Sequence, residues 1–110
     1  MDKMDRARSR SPILEVAILD VIPEKSETFQ ADFSKAQQLI QAIDGYIDHQ
    51  LQQCVANPCR YILLVRWETL EAHTTNFRRS PQYQEWKRLL HHYYQPFPTV
   101  EHYQPVAFQR

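Results

Sequence analysis

RYILLVRWET (60–69), LEAHTTNFRRSPQYQEWKRLL (70–90) and PTVEHYQPV (98–106) are the stretches whose reading decides the fold. The first is β-branched and aromatic with apolar residues on both alternating faces, so Arg60 to Trp67 reads as a strand covered on both sides. The second reads as a helical segment in two parts. Thr69 is the expected N-cap of the first part, and Ser80 followed by Pro81 restarts the helix, serine as cap and proline at the first helical position. Tyr83, Trp86, Leu90 and Tyr93 then make one stripe. Pro96 and Pro98 end the segment, and 99–106 is a last strand whose Pro105 is tolerated only at an edge. His73 follows Leu70 by three positions and precedes Phe77 by four, so its ring is expected to face the sheet.

Upstream, ILEVAILDVI (13–22) is again mostly apolar on both faces and reads as a central strand. Pro23 stops it. Phe29, Phe33, Ala36, Ile40 and Ile43 recur at helical spacing, predicting an amphipathic helix that ends near Asp44, with Gly45 in its C-terminal turn. YIDHQLQQCV (46–55) carries Ile47, His49, Leu51 and Val55 on one face and polar residues on the other, as an edge strand does. Asn57 and Pro58 form the turn of a hairpin with 60–67. The order β-α-β-β-α-β predicts an α+β, ferredoxin-like fold: a four-stranded antiparallel sheet, first and third strands central, two helices on one face. Two helices leave the other apolar face of the sheet uncovered. A second copy of the chain is the expected cover, making a homodimer in the form of a dimeric α+β barrel.

Composition narrows the function. The 110 residues, 43% hydrophobic and 24% charged, suit one globular domain, 13–110, preceded by a tail of residues 1–12. Thirteen basic residues balance thirteen acidic ones, and the basic excess sits in that tail at Lys3, Arg6, Arg8 and Arg10, so no basic stripe for nucleic acid is expected. No apolar run approaches a membrane span, and the N-terminus lacks the apolar core of a secretory signal, so the expected location is cytoplasmic with no membrane association. Cys54 and Cys59 are expected to be reduced thiols, and no cluster has metal-ligand spacing. A single glycine, Gly45, argues against the glycine-rich loops of nucleotide and dinucleotide sites.

The strand ending in Trp-Glu (YILLVRWET), the helical Glu-Ala-His after it, the NFRRSPQYQEW segment and the closing VEHYQPV resemble the antibiotic biosynthesis monooxygenase domain, a family of dimeric α+β barrels. The resemblance covers about residues 13–106. It implies oxidation of an aromatic, polyphenol or quinol-like small molecule by O2 with no metal or organic cofactor. On that reading His73 is the catalytic base, since a buried neutral imidazole can accept a proton from a phenol or an enolisable carbon, and the resulting anion reduces O2 itself. Asn76 is its catalytic companion, offering an amide to a substrate carbonyl. Trp67, Phe77, Tyr83, Trp86 and His49 are the expected substrate-binding residues, although both tryptophans suit a core equally. Tyr103 and His102 are weaker candidates, and His91 with His92 reads as a partner for a helix C-terminus. Arg66 is opposite in parity to Trp67 and is expected to face the other sheet surface, pairing with an acid at the dimer interface. Two other classes stay open: a non-catalytic dimeric module that binds or senses a small ligand, and an isomerase on the same barrel.

Overall fold

The computed structural model of the chain describes residues 11–108, so most of the tail expected at 1–12 lies outside the described residues. The chain runs β1 (Ile13–Asp20), α1 (Ser26–Gln41), β2 (Tyr46–Gln53), β3 (Arg60–Trp67), a wide helical turn (Ala72–Phe77), α2 (Pro81–Leu90), a short 3₁₀ turn (His91–Tyr93) and β4 (Val100–Tyr103). The sheet is antiparallel throughout in the order β2-β3-β1-β4, with β1 and β3 central as their two-sided apolar pattern requires. The ferredoxin-like architecture is therefore the one present.

Strand parity sorts the side chains. Ala17 and Leu19 of β1 and Tyr61, Leu63, Val65 and Trp67 of β3 point toward the helices and are buried. Against them α1 sets Phe29, Phe33, Ala36 and Ile40, and α2 sets Trp86 and Leu90. Ring contacts bind the layers together, Phe29 to Tyr61 at 4.9 Å and Phe33 to Trp86 at 5.7 Å between centroids. Each such side chain contributes about 1.5–3 kcal/mol by leaving water. On the opposite face Leu14, Val16, Ile62 and Leu64 are only half-buried, and Ile18 is 41% exposed.

Local chemistry sets several boundaries. Ser80 Oγ accepts the backbone N–H of Tyr83 at 3.1 Å, and Thr69 Oγ1 accepts that of Ala72 at 3.1 Å, so both expected caps are present. The first helix stops at Gln41 rather than near Asp44, because Ala42 and Ile43 bond back three residues to Leu39 and Ile40, a tightened last turn. Gly45 follows with φ +96°, a conformation that a side chain resists. A bulge between Tyr46 and Asp48 shifts the register of β2, which then ends at Gln53, leaving Val55 fully exposed instead of on the apolar face. The last strand spans only Val100–Tyr103, shorter than the 99–106 expected, and pairs with Leu14 to Ala17 of β1. Arg66 faces away from the helices and pairs with Asp48, its neighbour across the β2–β3 ladder, at 2.9 and 2.6 Å. Cys54 and Cys59 are free thiols. Among the described residues no helix is long and apolar enough to cross a membrane.

Candidate active site

The turn after β3 is wider than an α-helix. Arg78 N–H donates to the His73 carbonyl at 3.2 Å, five residues back, the hydrogen bond of a π-turn. Leu70, expected on the inner face, is 41% exposed, while His73 goes inward to 3% exposure. The turn is held from below by the loop between α1 and β2: Glu68 N–H donates to the Gly45 carbonyl at 2.7 Å and Asn76 Nδ2 to the Asp44 carbonyl at 2.9 Å.

His73 stacks on Trp67, ring centroids 5.4 Å apart and planes 19° apart. Its Nδ1 lies 2.8 Å from His102 Nε2, and its Nε2 lies 3.4 Å from Glu15 Oε1. That carboxylate oxygen also accepts the Trp67 indole N–H at 2.9 Å. The strand register makes the group: Glu15 on β1 pairs across the sheet with His102 on β4 and, on its other side, with Val65 on β3, so all three point to the helix side. Burial holds a proton on the Glu15 carboxyl and raises its pKa from 4.5 to about 7, against the opposing pull of the Trp67 hydrogen bond and the charge of Arg78. Burial, with Arg78 nearby, drives the His73 imidazole down to about 3, so it is neutral at pH 7. His102 is lowered as well, first by burial and then by Arg78.

A neutral imidazole between a carboxyl and a second imidazole has two proton arrangements. In one, His73 Nε2–H faces an ionised Glu15 and Nδ1 accepts from His102; in the other, Glu15 carries the proton and Nδ1–H donates to His102. A conjugate acid with a pKa near 3 makes His73 a weak base. Glu15 has the proton affinity suited to neutral pH, and His73 is placed to pass its proton on.

Glu15 and His73 form part of the wall of a cavity of about 380 Å³. Phe77, Tyr83, Trp86, Tyr94 and Phe97 supply aromatic surface, with Ala17, Leu19, Leu63 and Val100 on the sheet side and Arg78 and His91 near the helices. Of the residues expected from sequence, His73, Phe77, Tyr83 and Trp86 therefore come together. Trp67 stands behind His73 as its support and is fully buried. Asn76 is exposed and spends its amide on the Asp44 carbonyl, so it anchors the His73 turn and does not reach the cavity. His49 faces α1, where it meets Gln37 Oε1 at 2.9 Å and the Tyr46 hydroxyl at 2.6 Å, away from the cavity. Of the histidine pair, His92 Nε2 meets the Leu89 carbonyl at 3.0 Å at the end of α2, as a helix terminus favours, but His91 turns into the cavity wall. Glu15 and Arg78 had no place in the sequence reading. Glu15 did leave a signal, an acid at the inward parity of a central strand; Arg78 left none, because the π-turn that aims it is invisible to an α-helical template. Among the described residues no group of three or more His, Cys, Asp or Glu is arranged to hold a metal ion.

The sequence model of the antibiotic biosynthesis monooxygenase family matches residues 12–89. The chain belongs to that family. It is 48% identical over 94 residues to the uncharacterized protein YczJ of Bacillus subtilis (strain 168), covering 86% of this chain and 99% of YczJ. A crystal structure from Bordetella bronchiseptica assigned to the antibiotic biosynthesis monooxygenases is similar with a TM-score of 0.83 at 33% identity, over 88% of this chain and 99% of that one. SnoaB of Streptomyces nogalater, a cofactor-independent oxygenase, shares the fold with a TM-score of 0.68 at 17% identity, over 91% and 96% of the two chains. Membership of the antibiotic biosynthesis monooxygenase family agrees with the sheet order and the helices on one face.

Proposed function

We propose that the protein is a cofactor-independent monooxygenase that oxidises an aromatic, polyphenol or quinol-like molecule with O2. The observation that carries this reading is a buried carboxyl with a pKa near 7 on the wall of an aromatic cavity, backed by a neutral histidine relay. Glu15 takes a proton from an acidic ring C–H or O–H of the substrate, and His73 and His102 convey it outward. For an activated CH2, the carbanion gives one electron to O2, the radical pair joins as a hydroperoxide, and loss of water leaves a ketone. One oxygen atom ends in the ketone and the other in water. Family membership supports the reaction class, and SnoaB supports the ability of this fold to oxygenate without a cofactor. Because ionised Glu15 is the proton acceptor, the rate is expected to rise as pH passes through about 7.

The test is an oxygen-electrode assay of the purified chain with a panel of hydroquinones and anthrones, no metal or cofactor added. Uptake is expected with at least one compound, and His73→Ala is expected to lower it by about 100-fold or more. Unchanged turnover in that variant overturns the relay. Binding seen as a thermal shift, with no uptake across the panel, favours a non-catalytic ligand-binding module instead.

The same reading takes the protein as a homodimer, its second copy covering Leu14, Val16, Ile18, Ile62 and Leu64, a stripe of partly exposed apolar side chains on one sheet face. Sedimentation velocity at micromolar concentration is expected to give twice the chain mass, and Ile18→Asp to shift it to the monomer. A wild-type monomer there removes the barrel.

A further inference from the structure

We infer that the cavity's ligand is a flat aromatic carboxylate of two or three fused rings, its carboxylate held by Arg78 and its reactive position turned toward Glu15 and His73. This rests on the proposed oxygenase for what happens at that position and goes further by naming the ligand's charge and shape.

Size and surface come first. A volume of about 380 Å³ lies at the lower end of the roughly 300–1,000 Å³ of small-molecule sites, enough for a compact ring system. Five aromatic side chains around it present flat faces and edges, which favour a planar guest. Phe97 lines the space yet is 61% exposed, a large apolar surface that a guest would cover.

Charge comes second. Among the described residues Arg78 is the one arginine or lysine lining the cavity. Arg60, Arg66 and Arg88 each grip a carboxylate of the protein, Asp20, Asp48 and Glu85. Among the described residues the guanidinium of Arg78 makes no such pair, although its charge is felt by Glu15, His73 and His102. The other titratable groups facing it do not offset it. His73, His91 and His102 are all lowered toward the neutral form by burial first, the Tyr83 and Tyr94 hydroxyls are phenols, and Glu15 is only partly ionised at neutral pH. A permanently charged, planar, two-pronged donor at the rim of an otherwise near-neutral aromatic cavity is matched by a carboxylate, which takes it through two parallel hydrogen bonds.

The experiment is anaerobic titration calorimetry of the full chain with 3-hydroxy-2-naphthoate and its neutral amide, 3-hydroxy-2-naphthamide. The acid is expected to bind at least about tenfold more tightly than the amide. Arg78→Gln, at an exposed position whose helical hydrogen bond is made by its backbone, is expected to remove the preference of acid over amide; Arg78→Lys is expected to keep part of it. Equal affinities in the wild type, a preference that survives Arg78→Gln, or binding of neither probe overturns the inference. Acid preference without O2 uptake on air admission sinks the oxygenase and keeps the ligand class. Uptake with neutral quinols that Arg78→Gln leaves intact does the reverse.

Discussion

Glu15→Gln is expected to stop turnover and to stabilise the protein, two large effects of opposite sign from one side chain. The amide keeps the shape of the carboxyl and still accepts the Trp67 indole N–H, but it cannot take a proton, so the rate is expected to fall by about 10²-fold or more. Stability moves the other way through the pKa. The carboxyl titrates near 4.5 in the unfolded chain and about 7 in the folded one, so between those values the native state holds a proton that the unfolded state has released. Wild-type stability therefore falls as pH rises from 4.5 through 7, by about 3 kcal/mol for a shift of this size. His73, depressed to about 3 in the fold, contributes the opposite slope below its ordinary 6.5, and it is present in both proteins. The difference curve, variant minus wild type, thus isolates Glu15: near zero at pH 4.5 and up to about 3 kcal/mol in favour of the variant at pH 8. Urea melts at a series of pH values measure it, and a gap that does not change with pH would show that Glu15 does not titrate in this range.

The second large effect is expected at Gly45, which is not part of the cavity wall. Gly45→Ala meets two obstacles at once. Its φ of +96° is costly for any side chain, and the added Cβ would come within 2.5 Å of the Ala72 Cβ. Left-handed strain of about 1–2 kcal/mol and overpacking of about 1–3 kcal/mol predict a loss near 3 kcal/mol in denaturant unfolding. The overlap is with the residue before His73, and relief requires the π-turn to move away from the α1–β2 loop. Activity is therefore expected to fall with stability. Adding Ala72→Gly removes the overlap but not the strained φ, so the double variant is expected to recover part of both losses, an interaction between neighbours rather than a sum. Full additivity would show that the two backbones do not press on each other.

Much of this architecture was legible in the chain because its signals are local. The alternation in 60–67 and 13–20, the helical stripe from Phe29 to Ile40, the Ser80–Pro81 start and the Asn57–Pro58 turn each act within a few residues, and they sufficed for four strands, two helices and the central place of β1 and β3. Family membership was legible for the same reason, in the segment from Trp67 to Trp86. The site was legible only in part. His73, Phe77, Tyr83 and Trp86 could be found by helical spacing, but Asn76, three residues after His73, and His49, singled out by strand alternation, spend their polar atoms elsewhere.

Tertiary structure decided the chemistry. Glu15, His73 and His102 lie on three separate elements, and only the antiparallel register of β4 on β1, with the packing of the turn on Trp67, brings their polar atoms together. Register depends on which strands pair and where the pairing starts, which no window of sequence contains. The same holds for Arg78, aimed at the cavity by one shifted backbone hydrogen bond. Sequence by itself determined which faces are apolar and where most elements begin; burial among those faces is what raised Glu15 and silenced the charge of His73, because desolvation is a property of the assembled fold.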